Sequence, residues 1–308
     1  MNNNFTTPLK GIIPPMVTPL IDQDTLDHEG LERLIDHILS GGVHGLFILG
    51  TSGEGPGLSY HLRSELVSRV CDQVSGRIPV LIGISDTSAN ESLRLAEIAA
   101  DNNADAVVAA PPYYFKSSQK ELTEYFGYLA DHSPLPLFLY NMPSHTKIHI
   151  ELNTVFDLSE HNNIIGLKDS SADMIYFQTA AIALKEKPDF TLLVGPEQLL
   201  IQTVLAGGHG GVNGGANMFP KLYVELYKAA ENKDYDRMKI LQKRVLQIGS
   251  EIYSFDTSGN GVIKGIKSVL SLMGICSDTV TQPLQALSSK DKEKLEILLK
   301  KLDPADIL

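Results

Sequence analysis

Short apolar runs alternate with longer amphipathic segments along most of the chain. Eight runs stand out: Gly11–Pro19, Gly45–Gly50, Pro79–Ile84, Ala106–Pro112, Pro136–Pro143, Ile164–Ser171, Phe190–Gly195 and Gly210–Gly215. Each spans six to nine residues and several are almost uniformly apolar, as expected of strands covered on both faces. Between the runs, Leu31, Leu34, Ile35 and Ile38 fall at i, i+3, i+4 and i+7 and predict the buried face of a first helix. Leu93, Ala96, Glu97 and Ala100 continue that spacing in the third unit, with Ile98 and Ala99 broadening its apolar side. Asp27, Ser88 and Ser118 stand where helix N-caps belong, Ser118 with Glu121 three residues on. Gly41-Gly42 is placed to end the first helix.

Eight strand–helix units within about 230 residues predict an α/β fold, a closed (β/α)8 TIM barrel over residues 1–231. An open doubly wound sheet would usually show a Gly-x-Gly-x-x-Gly turn after its first strand, and none follows Gly11–Pro19. Beyond the barrel, Tyr235–Ile252, Gly261–Leu272 and Ser289–Leu302 read as helices. No Pro- or Ser-rich linker precedes them, so residues 232–308 are expected to pack on the barrel as a helical appendage.

Composition narrows the functional classes. An apolar share of 43% and a charged share of 20% exclude disorder for this 308-residue chain. A net charge of −11 argues against nucleic acid or an anionic membrane as the main partner, though a local site can still be positive. The N-terminal residues lack a basic stretch followed by an apolar one, and no apolar run approaches the ~20 residues of a membrane span. A cytoplasmic protein is expected, with Cys71 and Cys276 as reduced thiols.

In such a barrel the site lies at the C-terminal ends of the strands. The sixth run, Ile164-Ile165-Gly166-Leu167-Lys168-Asp169-Ser170-Ser171, ends a buried strand in a lysine. Desolvation favours the neutral amine there, a nucleophile able to form an imine with a ketone, unless Asp169 or another carboxylate pairs with it. The second run ends Gly50-Thr51-Ser52-Gly53-Glu54, whose hydroxyls and backbone N–H groups can hold a carboxylate or simply cap a tight turn. The fifth ends Tyr140-Asn141-Met142-Pro143; Tyr140 is either core or a proton carrier one strand from Lys168. Together the three strand ends suit a 2-oxo acid: imine at Lys168, proton transfer at Tyr140, carboxylate at Thr51 and Ser52.

With those three motifs in that order, the chain resembles the N-acetylneuraminate lyase and dihydrodipicolinate synthase family of Schiff-base aldolases, from about Gly11 to Pro220 and less tightly beyond. The resemblance implies that Lys168 forms the imine, that Tyr140 shuttles protons, and that pyruvate's carboxylate sits on Thr51 and Ser52. It makes Pro111-Pro112-Tyr113-Tyr114 the segment whose second tyrosine, Tyr114, reaches a neighbouring subunit's site as a proton relay or as packing. It places Gly195 and Val212 at positions whose backbone lines the pocket, implies no cofactor beyond the covalent imine, and implies a homotetramer built as a dimer of dimers. Two departures bear on substrate. His145 stands where synthases of lysine biosynthesis place an arginine for the second substrate's carboxylate, and Pro196-Glu197-Gln198 replaces the Tyr-Asp-Glu run of sialic acid lyases. Glu197 and Gln198 still follow the seventh strand, where hydroxyl-rich substrates would be gripped; otherwise Glu197 suits the first turn of a helix.

The expected activity is therefore a lyase that cleaves or forms a 2-oxo-3-deoxy sugar acid from pyruvate and an aldehyde. The synthase condensing pyruvate with aspartate semialdehyde, a dehydratase sharing the imine, and a silent 2-oxo acid sensor stay open. Weaker signals point elsewhere. Gly207 to Gly215 could bind phosphate or allow close backbone approach. His145 and His149 share metal-like spacing in an expected loop, and Asp22, Asp24 and Asp27 read as a solvated acidic loop rather than a calcium site.

Overall fold

The structure, a computed structural model, describes residues 5–256 and 259–301. Eight parallel strands form one sheet: β1 (Gly11–Ile12), β2 (Leu46–Ile48), β3 (Val80–Gly83), β4 (Ala106–Ala109), β5 (Leu137–Asn141), β6 (Ile164–Asp169), β7 (Thr191–Val194) and β8 (Gly210–Gly211). Their order is β1-β8-β7-β6-β5-β4-β3-β2. The remaining seam closes just after β1, where Pro15 bridges Phe47, Met16 N donates to Phe47 O at 2.8 Å and Phe47 N donates to Pro14 O at 3.0 Å. The result is the expected (β/α)8 barrel.

Every expected run contains its strand, but several strands stop short of the run. Pro14-Pro15 and Pro111-Pro112 lack the N–H groups a ladder needs, so β1 and β4 end before them. Gly210 sits in β8 because a Cβ there would lie 1.9 Å from the Gly11 carbonyl oxygen across the β1–β8 pair. The acidic stretch around Asp22 is not a simple loop: Leu20–Asp22 and Thr25–Leu26 pair as a small antiparallel hairpin, and Asp27 caps the next helix through Gly30 N.

Helices α1 (His28–Ser40), α2 (Tyr60–Val74), α3 (Ala89–Asp101), α4 (Gln119–His132), α5 (Leu152–Leu158), α6 (Met174–Ala183), α7 (Leu200–Leu205) and α8 (Pro220–Glu231) follow the eight strands in turn. Ser88 caps α3, and Ser118 with Glu121 forms a capping box on α4. On α1 the buried face is the predicted Leu31, Leu34, Ile35 and Ile38. On α3 the buried stripe is Ser92, Leu95, Ala96 and Ala99, one step from the predicted one, because the exposed Glu97 turns Leu93 and Ile98 to the flanks. His145 lies in a single helical turn, Pro143–Thr146, rather than in a loop.

Alternation along the strands builds two apolar layers. Inward side chains such as Phe47, Leu81, Val108, Phe138 and Leu193 fill the barrel, and outward ones such as Ile48, Ile82, Val107, Leu139 and Leu192 meet the helices. The tail forms α9 (Tyr235–Glu251), α10 (Gly261–Leu272) and α11 (Ser289–Lys301), and the expected final residue Leu302 lies outside the described residues. Met238, Leu241, Val245, Ile266, Val269 and Leu295 from these helices join the outer layer of the barrel's own core. Cys71 and Cys276 are free and buried. Among the described residues no helix is long and apolar enough to cross a membrane.

Candidate active site

β5 and β6 pair with Tyr140 opposite Lys168 and Asn141 opposite Asp169. Successive side chains alternate faces, so Tyr140 and Lys168 point into the barrel while Asn141 and Asp169 point toward the helices. That single fact separates the amine from the adjacent carboxylate. Asp169 instead accepts from Asn141 Nδ2 at 2.8 Å, from Ser171 Oγ at 3.0 Å and from Ser171 N at 3.2 Å. No carboxylate among the described residues forms an ion pair with Lys168.

On the inner face Lys168 is 5% exposed. Its Nζ lies 3.5 Å from the centre of the Tyr140 ring and donates to Ser170 Oγ at 3.0 Å. The Tyr140 hydroxyl and Thr51 Oγ1, at the end of β2, share a hydrogen bond of 3.1 Å. Burial holds the Lys168 amine below the usual lysine range, with Tyr140 and Asp169 pulling it only partly back. Burial pushes the Tyr140 phenol up, but the charge of Lys168 and hydrogen bonding to Thr51, Lys168 and Ser170 together bring it below its ordinary value. Amine, phenol and hydroxyl thus form a connected set of proton-carrying groups in a site largely shielded from water.

A cavity of about 220 Å³ opens over them. Its wall includes Thr51, Ser52, Tyr140, His145, Lys168, Gly195, Glu197, Gln198 and Val212, all singled out from the sequence. Tyr114 lies outside it: the side chain is 78% exposed and meets the exposed Phe115 edge to face, ring centres 5.0 Å apart. Gly195 leaves room for Ser170, since a Cβ there would fall 2.0 Å from Ser170 Oγ and displace that hydroxyl from beside Lys168. His145 shares a 3.0 Å hydrogen bond with Ser144 Oγ, and burial together with Lys147 and Lys168 holds its imidazole below the usual value.

Glu197 stands both in the cavity wall and in the first helical turn after β7, the two placements its position suggested. It is buried in the first turn after β7, and its two oxygens accept from Gly215 N at 2.8 Å, Tyr223 Oη at 2.7 Å and Tyr253 Oη at 3.1 Å. Burial raises its carboxyl despite those three donors. With its oxygens so engaged, Glu197 ties the β7 and β8 loops to the tail and contributes wall rather than a free grip; Gln198 lines the cavity beside it, its amide nitrogen close to Gly249 of the tail.

Sequence reasoning assigned no site role to several other wall residues, among them Phe47, Ser170, Tyr253, Val262 and Ile263. Ser170 carried a signal, because in extended chain it shares a face with Lys168 two residues earlier. Tyr253 and Ile263 come from the tail, and nothing local marks them. A second cavity of about 350 Å³ adjoins the first and shares Phe47, Thr51, Tyr140, Met142, His145 and Ile263 with it.

An eight-stranded barrel that sets a buried lysine, free of any ion pair among the described residues, beside a tyrosine at adjacent strand ends has the arrangement a class I aldolase-type lyase needs. A sequence model of the dihydrodipicolinate synthetase family matches residues 8–302. The chain is 33% identical to 4-hydroxy-tetrahydrodipicolinate synthase of Methanopyrus kandleri, covering 96% of each. It is 34% identical to YagE of Escherichia coli K12, named a putative 2-dehydro-3-deoxy-D-gluconate aldolase, covering 95% of this chain and 96% of that one. The crystal structure of YagE in complex with pyruvate aligns with a TM-score of 0.90 over 96% of this chain and 99% of that chain. The structure of dihydrodipicolinate synthase from Bacteroides thetaiotaomicron aligns with a TM-score of 0.94 at 52% identity, covering 97% of this chain and 100% of that chain. The chain belongs to the dihydrodipicolinate synthetase family.

Proposed function

We propose that the protein is a pyruvate-dependent Schiff-base lyase that cleaves or forms a 2-oxo-3-deoxy sugar acid, with Lys168 as the imine-forming residue. The neutral Lys168 amine adds to the C2 carbonyl, and loss of water gives the imine. Thr51 and Ser52 hold the C1 carboxylate. Tyr140 takes the proton of the C4 hydroxyl as the C3–C4 bond breaks, and the bonding pair moves to the enamine. The aldehyde leaves, C3 is protonated, and water releases pyruvate and restores the amine. The YagE complex supports this reading, since a relative at 34% identity binds pyruvate on the same fold.

One observation favours a sugar-derived aldehyde over one bearing a second carboxylate. Among the described residues, neither cavity is lined by an arginine or by any lysine other than Lys168. His145 is no substitute: an imidazole held below its usual value is neutral at pH 7 and cannot form a bidentate contact. The lining residues Ser52, Ser170 and Gln198 are uncharged polar residues of the kind that suit hydroxyl groups. The synthase reading, pyruvate condensing with aspartate semialdehyde, draws on the 52% identity to the Bacteroides thetaiotaomicron synthase. A panel separates the two. Pyruvate release from 2-oxo-3-deoxy pentonates and hexonates, without consumption of aspartate semialdehyde, is the expected outcome; turnover of aspartate semialdehyde alone assigns the synthase. Working as a homotetramer, built as a dimer of dimers, is part of this proposal, with Tyr114 carried into a neighbour's site.

A further inference from the structure

The turn that bears Thr51 and Ser52 is pinned on its far side by a residue from the tail. Lys267, on α10, is fully buried and forms an ion pair with Glu54, the last residue of the Gly50-Thr51-Ser52-Gly53-Glu54 turn. Its Nζ also donates to Thr279 O at 2.6 Å. The second Glu54 oxygen accepts from Thr281 N at 2.7 Å and Thr281 Oγ1 at 2.9 Å. Glu54 itself adopts a left-handed φ of 56°, an uncommon conformation for a side-chain-bearing residue, and its N–H closes the turn onto Thr51 O at 3.0 Å. One residue earlier, Thr18 Oγ1 donates to Gly53 O at 2.7 Å. Besides the Thr51–Tyr140 hydrogen bond, the two hydroxyl-bearing residues are thus followed directly by a pinned Gly53 and Glu54.

Charge adds a second constraint. Glu54 and Thr281 line the cavity that shares Thr51 and Tyr140 with the lysine cavity. A lone carboxylate in that position would oppose an incoming anion, and a buried ammonium without a partner would be as costly. Pairing the two removes both effects where a substrate carboxylate is to be held.

We propose that Lys267 and Glu54 are a positioning pair for 2-oxo acid binding: the C-terminal helices fix the carboxylate-binding turn through them and cancel a charge that would repel the substrate. The inference rests on the Schiff-base reading above. Its test is the pyruvate dependence of the borohydride-reduced adduct on Lys168, with kcat and KM measured alongside. Lys267→Met is expected to give the same adduct at saturating pyruvate, with half-saturation and KM raised roughly 10- to 100-fold, the worth of one or two charge-assisted hydrogen bonds, and kcat changed only a few-fold. Glu54→Gln with Lys267→Met leaves no charge alone but does not restore the pin, and is expected to recover the part of the affinity lost to the unpaired Glu54 charge. An unmoved half-saturation, a loss confined to kcat, or no recovery in the double variant overturns the proposal. Should Lys267→Met fail to fold, Glu54→Asp carries the test: it keeps the charge but shortens the reach, and an unchanged half-saturation there counts equally against the pair. Absence of any adduct in the unsubstituted protein removes the Schiff-base reading and this inference together, whereas an adduct with unmoved half-saturation removes only the inference.

Discussion

Lys168 and Tyr140 shape each other's chemistry at 3.5 Å. With its amine held below the usual 10.5 by burial, Lys168 is neutral in a larger fraction of molecules at any given pH than an exposed lysine. Trapping of pyruvate should therefore accelerate with rising pH and level off below pH 10.5; a plateau reached only above that point would contradict the assigned desolvation. Tyr140 raises the Lys168 value by its own charge and hydrogen bond, so Tyr140→Phe should shift that profile to lower pH. The same variant should lose about 10²–10⁴-fold in turnover while still forming the adduct, the usual worth of a positioned proton carrier. Full turnover would remove the role given to Tyr140. These two residues were legible in the sequence because each ends an apolar run, where a polar side chain is conspicuous. Ser170 was less so, hidden among hydroxyls; the position of Glu197 indicated the pocket it lines, but no local pattern marks the Tyr223 and Tyr253 hydroxyls that engage it from distant parts of the chain.

Between neighbouring strands, the outer-face pair Asn141–Asp169 sits in register beside the inner-face pair Tyr140–Lys168. Asn141 Oδ1 accepts from Ile150 N at 3.1 Å, so the clamp extends to the segment leading into α5. Asp169→Ala strips a buried amide and a serine of their acceptor and should cost about 1–3 kcal/mol, read as a lower urea midpoint at unchanged slope. A loss below about 0.5 kcal/mol would place the strand register under other control. At this scale the chain reads well wherever the apolar period is clean. Leu31, Leu34, Ile35 and Ile38 and the Ser118–Glu121 capping box stand where the pattern sets them. It reads poorly where backbone chemistry overrides hydropathy, as at Pro14-Pro15 and Pro111-Pro112, and where polar residues pair locally, as in the Leu20–Leu26 hairpin.

Across the molecule, the tail belongs to the working enzyme rather than trailing from it. Tyr253 and Ile263 close the cavity wall, Tyr253 meets Glu197 after β7, and Lys267 meets Glu54 after β2. No local pattern announces such contacts, because they join residues separated by most of the chain. Tyr114 and Phe115 stand exposed as an aromatic pair, an apolar surface suited to subunit association. Sedimentation should show an oligomer, and Tyr114→Ser with Phe115→Ser should weaken association and lower turnover on dilution; a monomeric parent protein with full activity would remove the proposed assembly. The central claim, that one shielded nitrogen attacks a ketone carbon, is tested most directly by incubating the protein with pyruvate and borohydride and mapping the modified peptide. The account predicts a single stable adduct on Lys168, abolished in Lys168→Ala; an unmodified protein, or an adduct on any other lysine, would contradict it.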